Sequence, residues 1–202
     1  MNPFDPGYYG EAELKQMGFR AVGRNVRIAK NCTIIGLDGV EIGDHVRIDG
    51  YCTITATGGG RVRLGSFIHI GGYCFLSGNA GIQIADFSTL SQGVRLYTGS
   101  DDYSGRRMTN PMVPETYTGV VRAPIALGRH VIVGSGSVVL PGATLGEGVA
   151  VGALSLVKND LEAWGIYGGC PAKRIRDRSR GLLALEAQFK QTLAGPDAAA
   201  VP

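Results

Sequence analysis

Three histidines, two adjacent aspartates and a basic run near the C-terminus are the side chains of this chain best suited to chemistry. A histidine with a pKa near ~6.5 can act as a general base at neutral pH, while an aspartate near ~3.9 is better suited to holding an ammonium group. Asp101 and Asp102 stand together in Ser100-Asp101-Asp102-Tyr103-Ser104-Gly105, a polar stretch with no aliphatic anchor. Lys173, Arg174, Arg176 and Arg178 are packed closely enough to suit phosphate oxygens. Cys32, Cys52 and Cys74 have neither CxxC nor paired-histidine spacing, so they read as small core residues and no metal site is expected.

The element that must position these groups is a six-residue repeat. Aliphatic anchors recur at Val22, Ile28, Ile34; Ile42, Ile48, Ile54; Leu64, Ile70, Leu76; Ile84, Leu90, Leu96; Leu127, Val133, Val139; and Leu145, Val151, Val157. Spacing of i+6 fits neither a helical amphipath nor a half-buried alternating strand. It fits a solenoid in which each hexad is a short strand and a corner, three hexads close a triangular coil, and neighbouring coils bury each other's anchors. The residue four after most anchors is small or β-branched, as in Val26, Cys52, Cys74, Ser88, Ser137 and Ser155, and reads as a second inward position. Glycines such as Gly23, Gly43, Gly65, Gly128 and Gly146 follow the anchors, where a corner needs unusual backbone angles or close approach.

The expected organisation is an N-terminal cap with a short helix over 1–21 (Tyr9 to Met17) and a β-helix over 22–162 with an extruded loop at about 99–122. A closing segment over 163–178 and a C-terminal helix with a flexible tail over 179–202 complete it. At 202 residues with 44% apolar content and 32 glycines, one domain is expected. A net charge of +3 is too small and dispersed for a nucleic-acid partner, no apolar run reaches the length of a membrane span, and no signal peptide is visible. The expected location is cytoplasmic. The break between Leu96 and Leu127 is where the chemistry is expected, because long ordered loops in compact domains carry function.

The hexad pattern resembles the hexapeptide-repeat acyltransferases. That resemblance implies an all-β, left-handed parallel β-helix, a homotrimer, and acetyl-coenzyme A as co-substrate. The last coils, Val133-Gly134-Ser135-Gly136-Ser137 and Val151-Gly152-Ala153-Leu154-Ser155, and the closing Gly168-Gly169-Cys170-Pro171-Ala172-Lys173, are similar to the family's donor groove. By that likeness Ser135, Ala153 and Lys158 line the pantetheine arm and Arg176, with Lys173 and Arg174 beside it, meets the nucleotide end. Galactoside and maltose O-acetyltransferases carry a catalytic histidine where the loop opens; here Asp101 stands at that position and Asp102 follows. The loop and the segment Glu13 to Phe19 look more like sugar acetyltransferases of surface-polysaccharide biosynthesis.

The resemblance places His69, Gly71, Asn79, Ser100 and Tyr103 around a sugar acceptor, with His69, Asp101 and Asp102 as the catalytic candidates. His45 and His130 stand three residues after an anchor and are expected to point outward at a corner, as surface or intersubunit residues. A hydroxyl acceptor needs a base, His69 or an aspartate, whereas an amine needs mainly positioning and a group to bind its ammonium form. The reading is an acetyltransferase acting on a sugar or nucleotide-sugar hydroxyl, with N-acetylation of a nucleotide-linked amino sugar as the alternative. A metal-binding or scaffold solenoid is the competing class. It would need histidines gathered at one site, and His45 and His130 differ in hexad phase from His69.

Overall fold

A computed structural model describes residues 4–194. The hexads wind into a parallel β-helix with three flat faces, and each coil places one short strand on each face. In the third coil these are Val62–Leu64, Ile68–Ile70 and Phe75–Ser77. In chain order the first face is a six-stranded sheet, the second nine-stranded and the third six-stranded. Anchors stack on anchors in register: Ile42 on Leu64, Ile48 on Ile70, Ile54 on Leu76. Sixteen of the eighteen are buried; Val22 and Ile34 of the first coil are only partly covered, because no full coil lies beyond them.

The residues four after the first two anchors of each coil form the second inward set, and all of them but Cys32 are buried. The thiols of Cys32, Cys52 and Cys74 donate to the carbonyls of Asp49, Gly71 and Ser91 at 3.1, 3.1 and 3.2 Å. Farther along, the Ser137 hydroxyl does the same to Gly152 at 3.0 Å. Small polar atoms are therefore tolerated in this core because each finds a backbone acceptor at the corner.

Glycine at the corners has one of the two expected reasons. None of Gly23, Gly43, Gly65, Gly128 and Gly146 has positive φ; instead a Cβ on Gly43 would lie 2.6 Å from the carbonyl oxygen of Gly65 in the next coil. The left-handed positions come two residues later and carry Asn25, His45, Phe67, Phe87 and His130. A left-handed L-residue costs roughly 1–2 kcal/mol. Ring stacking offsets it here, with centroids 4.7, 4.9 and 5.1 Å apart down His45, Phe67, Phe87 and His130, close to the strand spacing itself.

His130 departs from expectation. It is 8% exposed, because the C-terminal helix Leu182–Ala194 lies across this column. Phe189 meets the rings of Phe67 and Phe87 edge-on, at 5.3 and 6.4 Å. The buried carboxylate of Glu186 pairs with Arg129, with His130 Nε2 at 2.6 Å and with Lys190 at 2.6 Å. The helix thus packs on its own solenoid.

At the other end the helix is shorter than the pattern suggested. It spans Glu11–Leu14, with Gly10 as N-cap donating to Glu13 Oε2 at 3.0 Å, and Leu14 buries itself against the first coil. Tyr8–Tyr9 form a strand antiparallel to Arg27–Ala29, which covers the open edge of the second face. That face ends in an antiparallel hairpin of Gly165–Gly168 and Lys173–Asp177. Residues 195–202, expected to be a flexible tail, lie outside the described residues.

Candidate active site

The repeat opens at Thr98 and resumes at Ala123, whose N–H donates to the Thr98 carbonyl at 3.0 Å. Gly99–Ser100 pair antiparallel with Val121–Arg122, so the loop leaves on a two-stranded stem. Thr98 anchors the exit: its hydroxyl donates to the Ser77 carbonyl at 2.6 Å and accepts from the Ala80 N–H at 3.0 Å. Between stem and third face lies a cleft of about 450 Å³ lined by Asn79, Ser100, Asp101, Glu115 and Arg122 among others. Glu115 and Arg122 pair with each other at 3.0 Å. The Asn79 side-chain carbonyl accepts from Thr55 and Thr57.

The two aspartates have different surroundings. Asp102 accepts from the Ser104 N–H and hydroxyl, both at 2.9 Å, and from the Arg107 N–H at 3.0 Å, and these bonds, the Ser104 hydroxyl first, hold its carboxyl below the usual range. It shapes the loop, and its oxygens are taken. Asp101 lines the cleft and its carboxylate has no hydrogen bond or ion pair among the described residues.

The remaining acceptor candidates lie elsewhere in a single chain. Tyr103 is 92% exposed outside the cleft. Gly71 packs on the backbone of Ser91 and Gln92. His69 belongs to the second face, in a separate cleft of about 350 Å³ with Arg27, Arg47, His45 and Phe67. There its Nε2 lies 2.8 Å from Asp49 Oδ2, a carboxylate that also binds Arg47 Nε and Nη2 (2.8 and 3.1 Å) and the Tyr8 hydroxyl (2.9 Å). An imidazole fixed by a carboxylate through one nitrogen presents the other to solvent, an arrangement that serves either a base or an anion ligand. The sequence reading missed Asp49, Arg27 and Arg47. The signal was available: Arg27, Arg47 and His69 each stand five residues after the first anchor of their coil.

The donor candidates run along the last coils. Ser135 receives the Leu154 N–H on its carbonyl at 2.9 Å, and Ala153 is exposed beside it. Lys158 is exposed, and Lys173, Arg174 and Arg176 share the outer strand of the closing hairpin. Arg174 is partly engaged, donating to Asp177 at 2.6 Å and to the Tyr167 hydroxyl at 3.1 Å. Arg178 leaves the cluster, because its guanidinium turns inward onto the carbonyls of His130 and Gly148 at 2.7 and 3.1 Å. No group of three potential metal-ligating side chains occurs among the described residues.

No protein-family model matches the chain. It is 43% identical over 188 residues to an Escherichia coli dTDP-4-amino-4,6-dideoxy-D-glucose acyltransferase, covering 93% of this chain and 97% of that one. With that relative, this solenoid and a loop cleft on its third face, the chain belongs to the hexapeptide-repeat acyltransferases, enzymes built on a left-handed parallel β-helix. AntD, an N-acyltransferase from Bacillus cereus solved with dTDP and 3-hydroxybutyryl-CoA, is 38% identical with a TM-score of 0.89, over 94% of this chain and 99% of that one. A hexapeptide-repeat acetyltransferase from Vibrio cholerae, at 21% identity and a TM-score of 0.55 over 83% of this chain and 78% of its own, shares the fold.

Proposed function

We propose that the enzyme transfers an acyl group from an acyl-coenzyme A thioester, acetyl or larger, to the amino group of a nucleotide-linked amino sugar. The observation that carries this reading is the carboxylate of Asp101, unpartnered in a polar cleft whose lining holds no histidine. A neutral amine attacks a thioester without a strong base, so the protein chiefly supplies positioning and charge complementarity. Asp101 holds the acceptor by its ammonium form, which releases one proton to solvent to free the attacking lone pair. Once the nitrogen has bonded to the thioester carbon, its N–H is far more acidic than before, and Asp101 takes that second proton as the tetrahedral adduct expels the coenzyme A thiolate, which then receives it. Asn79 and Ser100 flank the sugar. Both the E. coli relative and AntD are described by a dTDP-linked or N-acyl reaction, which favours the amine over the hydroxyl acceptor preferred from sequence.

The donor lies along Ser135, Ala153 and Lys158, with Lys173, Arg174 and Arg176 at its phosphates. Gly71 and Tyr103 do not line the loop cleft of their own chain, and they join the acceptor site in a homotrimer, where a neighbouring subunit closes the groove. No helix among the described residues is long and apolar enough to cross a membrane, and work on nucleotide sugars and coenzyme A thioesters fits a cytoplasmic enzyme.

The His69–Asp49 pair favours one other reading, O-acylation with His69 as base. Incubation with acetyl-coenzyme A and dTDP-4-amino-4,6-dideoxyglucose, or its 4-hydroxy counterpart, separates the two. The expected product is an amide, resistant to hydroxylamine; a hydroxylamine-labile ester formed from the hydroxy sugar at an equal rate overturns the proposal.

A further inference from the structure

We infer that the cleft on the second face is a diphosphate site and that its ligand is the nucleotide diphosphate of the acceptor, an inference that rests on the nucleotide-linked substrate proposed above. Arg27, Arg47 and His69 occupy the same register position on three consecutive strands, Arg27 opposite Arg47 and Arg47 opposite His69. Parallel strands lie about 4.8 Å apart, so the three side chains form a short ladder of donors. Like charges directly opposite each other are destabilising. On the first face each arginine around Glu41, namely Arg20, Arg63 and Arg61, reaches that carboxylate at 2.8, 3.2 and 3.8 Å. Arg27 reaches none, and its guanidinium has no hydrogen bond or ion pair among the described residues.

Asp49 orients the ladder without filling it. It binds Nε and Nη2 of Arg47 and Nε2 of His69, which leaves Arg47 Nη1 and His69 Nδ1 for a ligand. With Nε2 turned to Asp49, Nδ1 is the ring atom that can face a phosphate oxygen. Phe67 supplies a rigid apolar wall, held between His45 and Phe87 in the stacked column. Two cationic rungs and an imidazole match two adjacent phosphates better than a lone anion, since guanidinium and phosphate pair through two parallel hydrogen bonds. Coenzyme A also carries a diphosphate. Its proposed ligands, however, are on the last coils and the closing hairpin, whereas this cleft is built from residues between Asn25 and Thr89. The two clefts share no lining residue within one chain, so the acceptor spans them across the subunit boundary of the proposed homotrimer, its diphosphate on Arg27 and His69 of one subunit and its amine at Asp101 of a neighbour, with Asp49 a positioning residue.

The test is titration calorimetry of the full chain with dTDP and, separately, with coenzyme A, for wild type, Arg27→Glu and His69→Ala, together with steady-state kinetics of the active enzyme. Arg27 is exposed and His69 half-exposed, neither belonging to the anchor core, so circular dichroism should show an unchanged fold. The expected result is a dTDP affinity weakened by about tenfold or more in both variants, with coenzyme A affinity unchanged. The acceptor KM should rise by a similar factor while kcat stays within about threefold of wild type. If wild type binds dTDP and both variants bind it equally well, the site is overturned and the acceptor reading stands. Loss of coenzyme A binding instead would assign the cleft to the donor and overturn the inference. A wild type that binds no nucleoside diphosphate removes both.

Discussion

His69 Nε2 stands 2.8 Å from Asp49 Oδ2, and the same carboxylate takes two further bonds from Arg47 and one from Tyr8, tying the N-terminal strand to the second and third coils. Burial by itself would raise the Asp49 pKa, but the hydrogen bonds from Arg47, His69 and Tyr8 together outweigh it and hold the carboxyl well below the usual range. A carboxyl whose folded pKa is depressed contributes stability that is complete above the unfolded value near ~3.9 and is lost progressively as pH falls from there through the lower folded value. Asp49→Asn should therefore lower the melting temperature more at pH 7 than at pH 3, where the loss has begun but is not complete. Thermal melts at the two pH values check this; an equal drop at both would mean that the carboxylate charge contributes nothing.

The C-terminal helix gives a second expectation. Phe189 is its main apolar contact with the column, and Glu186 gathers Arg129, His130 and Lys190. Phe189→Ala should cost roughly 1–3 kcal/mol, the ordinary range for a partly buried contact. Denaturant unfolding measures that cost, and limited proteolysis should now cut between Arg178 and Leu182. Unaltered stability and protease resistance would show that the ion pairs alone hold the helix.

The hexad anchors made the coil legible, because in a solenoid each short strand repeats the same burial problem and answers it with the same residue type. Loop placement followed, since only an outward excursion can interrupt stacked coils. Individual outward side chains were harder to read. His45 and His130 share a hexad phase, yet His130 is sealed under a helix whose docking depends on residues more than fifty positions away. Asp101 and Asp102 are neighbours in sequence, and what separates them is that the turn formed by Ser104 and Arg107 uses up one carboxylate only. Asp49 carried no sequence signal at all, because its partners come from three different strands.

The donor groove can be tested by steric block. Ala153 is exposed and its side chain is not part of the anchor core, so Ala153→Phe should fold normally. A phenyl group there should fill the proposed pantetheine path and raise the KM for acyl-coenzyme A by about tenfold or more, leaving the acceptor KM within about twofold. Donor kinetics like those of wild type would place the groove elsewhere on the molecule.

Asp101→Asn keeps the shape of the side chain and removes its charge. Because the carboxylate has no protein partner to lose, stability should be unchanged, and thermal melts check that first. If Asp101 takes the proton from the acylated nitrogen, kcat should fall on the order of 10²–10⁴-fold, the usual range for positioned proton transfer, with the donor KM unaffected. Asp102→Asn makes the matching control. It should loosen the turn at Ser104 and Arg107, lower the melting temperature slightly and weaken acceptor binding more than turnover. A fall in kcat of less than about threefold in Asp101→Asn, with the amino sugar as acceptor, would take Asp101 out of the proton path and leave it as a residue of the cleft wall.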